Sequence, residues 1–240
     1  MIRSIQKIML AMILIAMVSL GAHIGSSRQD VTSDAYIRDR VVMLHSDIGA
    51  CTGIEVITAK NKVYILTAAH CEDILSKEGF VMAQDEQGKD HPISLVQVDH
   101  VTDLMLLSAY ESKGIIIAKD SYTHEHVHTL THGRKMPTYR TDGELLEVVD
   151  LEMGVFGINS DEDLKKCLKQ ANQRPEVTFE GLICVLTLRS MMSTAQVQPG
   201  SSGGPVLDVA GQLVGIVSNT DGVYSGFVTL EDIHKFLKSR

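Results

Sequence analysis

The stretch Gln198-Pro199-Gly200-Ser201-Ser202-Gly203-Gly204-Pro205-Val206 places the tightest demand on the fold. Glycine admits backbone conformations closed to other residues and lets a neighbouring chain approach closely. A serine set among glycines can expose its hydroxyl while adjacent N–H groups turn outward. Nucleophilic acyl transfer needs that combination: an accessible hydroxyl and fixed donors for the developing oxyanion. Gly/Ser/Pro clusters also mark plain surface turns. Two upstream segments favour the chemical reading: Leu66-Thr67-Ala68-Ala69-His70-Cys71 and Asp103-Leu104-Met105-Leu106-Leu107. His70, Asp103 and Ser202 are too far apart in the chain for local contact, so only a fold joining distant segments can assemble them.

That order, His then Asp then Ser, resembles the trypsin/chymotrypsin-like serine peptidases, nearest their HtrA-like bacterial branch. The resemblance runs from about Val41 to the C-terminus. It rests on Thr67-Ala68-Ala69-His70-Cys71 and on Gly200-Ser201-Ser202-Gly203-Gly204-Pro205, with Asp103 a weaker motif. It implies an all-β chain of two antiparallel six-stranded barrels, with the site in the cleft between them and a C-terminal helix. Ser202 would be the nucleophile and His70 its general base. Asp103 would hold the imidazole tautomer, and the N–H groups of Gly200 and Ser202 would form the oxyanion hole. Asp99, followed by His100, is the rival to Asp103 but lacks the apolar strand after it.

Periodicity independently reads as many short strands. Segments 41–44, 54–58, 63–67, 80–82, 93–98, 104–107, 126–133, 144–149, 182–188 and 213–217 have strand character. A glycine-bearing bend is expected at 48–53, a turn at 59–62 and a tight turn at 68–71. Segment 161–170 leads with acids, ends with lysines and can be capped by Ser160 or Asp161, so it reads as a helix. Segment 230–237 reads as an amphipathic helix with Ile233, Phe236 and Leu237 on one face. The expected organisation is an N-terminal signal or anchor at 1–22, a linker at 23–40, a first barrel at 41–120 and a second at 121–240. The break falls near Gly114 to Tyr122.

Residues 1–7 carry Arg3 and Lys7 and no acid, and 8–22 are apolar or small. This is the pattern of a signal peptide, with a small-x-small cleavage point at Ser19-Leu20-Gly21. Retained, the segment would act as a membrane anchor. The expected location is therefore secreted or periplasmic, or membrane-anchored through the N-terminal segment. A formal net charge of −8 argues against nucleic acid as a partner. The expected partner is a protein or peptide substrate, and no cofactor is implied.

Four cysteines, Cys51, Cys71, Cys167 and Cys184, beside a secretion signal favour disulfides. Counting leaves the connectivity open, and reduced thiols in a cytosolic protein are the alternative. The family resemblance implies Cys51–Cys71, which leaves Cys167 with Cys184. It also implies substrate contacts from Gln196 near the pocket base, from Ser218-Asn219-Thr220 along the substrate backbone and from Gly226 on the pocket wall. No acid stands at the base, and Thr220 replaces a frequent glycine. Basic side chains should be poorly preferred and small or medium ones favoured.

Ser201 stands where the digestive branch carries an aspartate that pairs with a new N-terminus, so activation of that kind is not expected. The chain ends at Arg240 with its helix, so an HtrA-like PDZ assembly is not expected either. His124, His126, His128 and His132 invite a metal reading, since alternate strand residues share a face. They lack carboxylates or cysteines in a recognised spacing, and solvated strand histidines are the simpler reading. The second functional reading is a peptidase-fold binding protein with a silent site. The intact trio His70, Asp103 and Ser202 weighs against it.

Overall fold

Short runs that are apolar at nearly every position, such as Leu104-Met105-Leu106-Leu107, suit strands buried on both faces. The computed structural model describes residues 33–238 except 48, 73–80, 112, 120–125, 134–137, 170–172 and 179–180. The expected signal or anchor segment, its expected cleavage point and His124 lie outside the described residues. Among the described residues, no helix is long and apolar enough to cross a membrane.

Among the described residues, fourteen strands form two antiparallel sheets of seven. The first holds β1 (Val41–His45), β2 (Ala50–Ile57), β3 (Val63–Ala68), β4 (Val81–Gln84), β5 (Asp90–Ile93), β6 (Leu95–Asp99) and β7 (Leu104–Ser108), in the order β5-β4-β1-β2-β3-β7-β6. Its two edges, β5 and β6, are separated in the chain by Ser94 alone, so they are halves of one bent strand. The sheet therefore closes as the expected six-stranded barrel. The second sheet holds β8 (His126–His132), β9 (Thr138–Gly157), β10 (Gln173–Thr178), β11 (Gly181–Ser193), β12 (Pro205–Asp208), β13 (Leu213–Thr220) and β14 (Ser225–Thr229). Pairing of β11 with both β14 and β9 closes a second ring of six, and β10 hangs outside on β11.

Alternation along the strands divides the apolar side chains between two tasks. In β7, Met105 and Leu107 fill the first barrel, while Leu104 and Leu106 face away from that filling. They join a cluster with Leu130, Leu207, Leu213 and Ile216 of the second sheet. Val206, Val214, Val217 and Phe227 fill the second barrel. The apolar seam between the barrels is thus built from the outward faces of both. The connector is stitched into the same seam: Ile115 N–H donates to the Glu55 carbonyl at 2.8 Å and Ala118 N–H to the Leu213 carbonyl at 3.0 Å.

Three departures from the sequence reading stand out. Residues within the expected linker form a helix, α1 (Asp34–Arg38), capped by Ser33, with Tyr36 and Ile37 buried in the seam. Strand β2 begins at Ala50, inside the stretch read as a bend. Strand β9 runs 20 residues, far beyond the expected 144–149. Its first part pairs with β8 as far as Glu144, and from Leu145 onward it pairs with β11. Beyond the barrel the β9–β11 ladder continues as a ribbon, on which β10 adds a third strand. The helix expected at 161–170 is α2 (Asp161–Lys169); Asp163 N–H donates to Ser160 Oγ at 3.1 Å, so Ser160 is the cap. The C-terminal helix, α3 (Leu230–Leu237), buries Leu230, Ile233, Phe236 and Leu237. Both disulfides form, Cys51–Cys71 and Cys167–Cys184.

Candidate active site

Strand β3 ends in small residues, and Ala69–Cys71 close it as a single 3-10 turn. Ala68, Ala69 and Cys71 are fully buried there, which leaves the His70 ring exposed on the outer side. The turn between β6 and β7 brings Asp103 beside it. Asp103 adopts a left-handed backbone, φ 56°, a conformation that Asp tolerates better than most residues. The bent backbone lets one residue grip the turn twice. The Asp103 carbonyl accepts from Ala69 N–H at 3.1 Å, and its carboxylate Oδ1 accepts from His70 N–H at 2.9 Å. Asp103 Oδ2 lies 2.9 Å from His70 Nδ1. Asp99, by contrast, accepts from Val101 N–H and Thr102 Oγ1 within its own turn.

The other side of Asp103 is closed by Ser218, whose Oγ donates to Oδ2 at 2.5 Å. Ser218 stands two residues beyond Ile216 of the seam cluster, hence on the same face of its strand, at a register shift between Val217 and Asn219. Ser218, expected to meet substrate, thus also holds the acid. Burial disfavours the His70 imidazolium, but the hydrogen bond and negative charge of Asp103 outweigh it, so the His70 pKa is raised above its ordinary 6.5. A carboxylate fastened to Nδ1 leaves Nε2 as the basic nitrogen.

The serine segment forms two successive tight turns. Ser201 N–H donates to the Gln198 carbonyl at 3.0 Å, and Gly204 N–H to the Ser201 carbonyl at 2.9 Å. Their third residues, Gly200 and Gly203, have φ of 101° and 84°. Proline at the second position of the first turn and positive-φ glycine at the third of both are the marks of type II turns. Ser202 is the second residue of the second turn and is half-buried. The N–H groups of Gly200 and Ser202 have no partner among the described residues, while Ser201 N–H between them is engaged.

Contacts from the first barrel fix these turns beside His70. Thr52 N–H donates to the Ser202 carbonyl and Thr52 Oγ1 to the Gly200 carbonyl, both at 2.8 Å. Cys71 Sγ lies 4.0 Å from the Ser202 carbonyl oxygen. Gly203 has no room for a side chain, since a Cβ would overlap Thr67 Oγ1 and the Thr52 carbonyl. The Ser202 backbone is therefore held against the turn that carries His70, and among the described residues no hydrogen bond joins the Ser202 hydroxyl to the His70 ring. Thr52 escapes a sequence reading because its partners in the serine loop are remote in the chain.

Of the expected substrate-binding residues, Ser218, Asn219 and Thr220 lie on β13 and Gly226 on β14. Gln196 is exposed before the first turn, and Asn219 pairs with Gly226 and Thr220 with Ser225 across β13 and β14. A Cβ on Gly226 would overlap Asn219 Oδ1, so the Asn219 amide covers that wall. Thr220 Oγ1 is tied to the Tyr224 carbonyl and to Gly222 N–H. His126 and His128 face Glu144 and Asp142 across the β8–β9 ladder. Among the described residues, no group of three or more His, Cys, Asp or Glu is arranged to hold a metal ion.

Residues 51–216, more than half of the chain, match the family model described as the trypsin-like peptidase domain. The chain belongs to that family. Among solved structures, it is similar to the inactive form of the Rv3671c protease of M. tuberculosis, with 20% identity and a TM-score of 0.62, covering 89% of this chain and 93% of that one. It is also similar to the serine endoprotease of Yersinia pestis, at 16% identity and a TM-score of 0.60, covering 89% of this chain and 66% of that one. A third neighbour is the HtrA-type protease AlgW with a tripeptide, at 16% identity and a TM-score of 0.61, covering 88% of this trypsin-like chain and 63% of AlgW. At these identities the likeness establishes the double-barrel fold. No curated protein sequence matches the chain.

Proposed function

We propose that this peptidase-family chain is a serine endopeptidase acting through an acyl-enzyme, with Ser202 as nucleophile, His70 as general base and Asp103 as its orienting acid. One observation carries the reading. A buried carboxylate holds His70 Nδ1 at 2.9 Å, and Cys71, the next residue, brings its Sγ to 4.0 Å from the Ser202 carbonyl oxygen of the glycine-rich loop. A serine hydroxyl is barely ionised at neutral pH, so it needs a base at the moment of attack. His70 Nε2 takes the Ser202 proton as Oγ attacks the substrate carbonyl, and Asp103 stabilises the imidazolium. The unpaired N–H groups of Gly200 and Ser202 then receive the oxyanion. His70 returns the proton to the leaving amine, and water releases the acyl group by the reverse sequence.

Substrates would be protein or peptide chains, since β13 can lay an extended backbone along Ser218-Asn219-Thr220. The Asn219 amide over Gly226 and the absence of an acid at Gln196 support small or medium side chains at the cleavage site rather than basic ones. The two disulfides support a secreted or periplasmic location.

The test is intact mass after treatment with a fluorophosphonate, on wild type and on Ser202→Ala. One adduct on wild type and none on the variant is the expected result. A folded wild type that takes no adduct would leave the silent, binding-only reading in its place.

A further inference from the structure

Ser201 is fully buried, and a buried hydroxyl needs partners. It finds them on one cross-strand pair. Thr131 of β8 and Tyr139 of β9 sit directly opposite each other in the ladder. Thr131 Oγ1 lies 3.0 Å from Ser201 Oγ, and Tyr139 Oη lies 2.6 Å from it. Tyr139 Oη also accepts from Gln198 N–H at 3.0 Å. One phenol oxygen therefore holds both the first and the last residue of the turn Gln198-Pro199-Gly200-Ser201. Thr52 Oγ1 grips the Gly200 carbonyl of the same turn from the other barrel. Upstream, Arg38 of α1 donates to the carbonyl of Thr138, the residue before Tyr139, at 2.7 Å.

Resting on the peptidase reading above, we propose that Tyr139 is a positioning residue for the oxyanion donors. Its hydroxyl clasps the two ends of the turn and so fixes where the Gly200 N–H points. The clasp is built into the folded chain and is made of neutral hydroxyls. It needs neither a carboxylate at position 201 nor a freed N-terminus to pair with one. Without the Tyr139 oxygen, Gln198 N–H keeps, among the described residues, Ser201 Oγ at 3.3 Å, and no described contact ties the turn's ends to β9. An oxyanion donor removed outright costs roughly 100- to 1000-fold in rate, so one left loosely aimed should cost about tenfold.

The test compares wild type, Tyr139→Phe and a control, Thr129→Val. The control removes a hydroxyl pair, Thr129 Oγ1 to Thr141 Oγ1 at 2.7 Å, from the same two strands without touching Ser201. Hydrogen exchange at the Gln198 and Ser201 amides reads the turn itself. Saturation kinetics with a fluorophosphonate separate reagent affinity from the rate of acylation, and a pH series locates the midpoint set by His70. In Tyr139→Phe, the two amides should exchange faster and the acylation rate should fall about tenfold. Reagent affinity and the pH midpoint should stay unchanged, since His70 and Asp103 are untouched, and Thr129→Val should match wild type throughout.

Unchanged exchange, or faster exchange with an unchanged acylation rate, overturns the proposal. So does an equal loss in Thr129→Val. If wild type takes no label, the peptidase reading fails, and exchange alone then decides whether Tyr139 clasps the turn. If Tyr139→Phe loosens both barrels throughout, Ser201→Ala, which deletes the clasped hydroxyl, is held to the same criteria.

Discussion

Replacing each disulfide by an alanine pair separates what a crosslink does for the fold from what it does for the site. Cys51–Cys71 closes a loop of 20 residues and Cys167–Cys184 one of 17. In the chain-entropy model these stabilise the native state by about 3.3 and about 3.1 kcal/mol. At roughly 2–4 °C per kcal/mol for a chain of this size, each pair should lower the melting midpoint by roughly 6–13 °C, and by similar amounts. Activity should divide them. Cys71 directly follows His70, and Cys51 directly precedes Thr52, whose N–H carries the Ser202 carbonyl. Cys184 instead lies on the ribbon, roughly 30 Å along β11 from the barrel at Ser193. Fluorophosphonate labelling, measured well below both midpoints, should slow about tenfold in C51A/C71A, as for a loosely held oxyanion donor. It should stay within about twofold of wild type in C167A/C184A, as for changes that spare the reacting groups. Equal labelling losses, or none in C51A/C71A despite the lower midpoint, would refute the idea that the first bridge aligns base and nucleophile.

Two further outcomes depend on pH. As the proposed base His70 must be neutral, and Asp103 raises its pKa, so labelling should switch on as pH rises through a midpoint above 6.5. In Asp103→Asn the midpoint should drop, and a midpoint that does not move would contradict the pairing. For folding, the raised His70 pKa stabilises the native state fully below pH 6.5, and that contribution is lost as pH climbs through the folded value. Glu55, fully buried, has its carboxyl pushed up to about 8 by desolvation, with Arg40 opposing and Glu111 reinforcing. Between pH 4.5 and about 8 the unfolded chain holds fewer protons at this site than the native one, so stability should fall with rising pH. Glu55→Gln should flatten that slope in urea titrations at pH 5 and pH 8; an unchanged slope would place the proton elsewhere.

What could be read in advance was whatever depends on local backbone demands. The Gly200–Pro205 turns need glycine at their positive-φ positions, and the His70 turn needs small neighbours, so both announce themselves. The long strand β9 was legible only in part, because it changes partner at Glu144 and Leu145 and carries charges where it faces solvent. Strand β10 was hidden by Pro175, which an outer strand accepts and an inner one does not. Helix α1 looked like linker because only Tyr36 and Ile37 of its five residues are buried. The holding contacts were invisible for a different reason. Thr52 reaches Gly200 across 148 positions and Ser218 reaches Asp103 across 115. Nothing near a lone threonine or serine signals a partner so far away.

The grip of Thr52 on the Ser202 carbonyl has a consequence for the order in which the molecule matures. Domains generally fold as units, and the N-terminal part of a chain is made first during synthesis. A nascent chain with only its first barrel folded would hold His70 and Asp103 without Ser202, the proposed nucleophile. A second barrel folded but undocked holds Ser202 without Thr52 or Thr67 behind it. If the proposed peptidase reading holds, competence to cut arrives only when the two barrels dock, and half-made copies are harmless to one another.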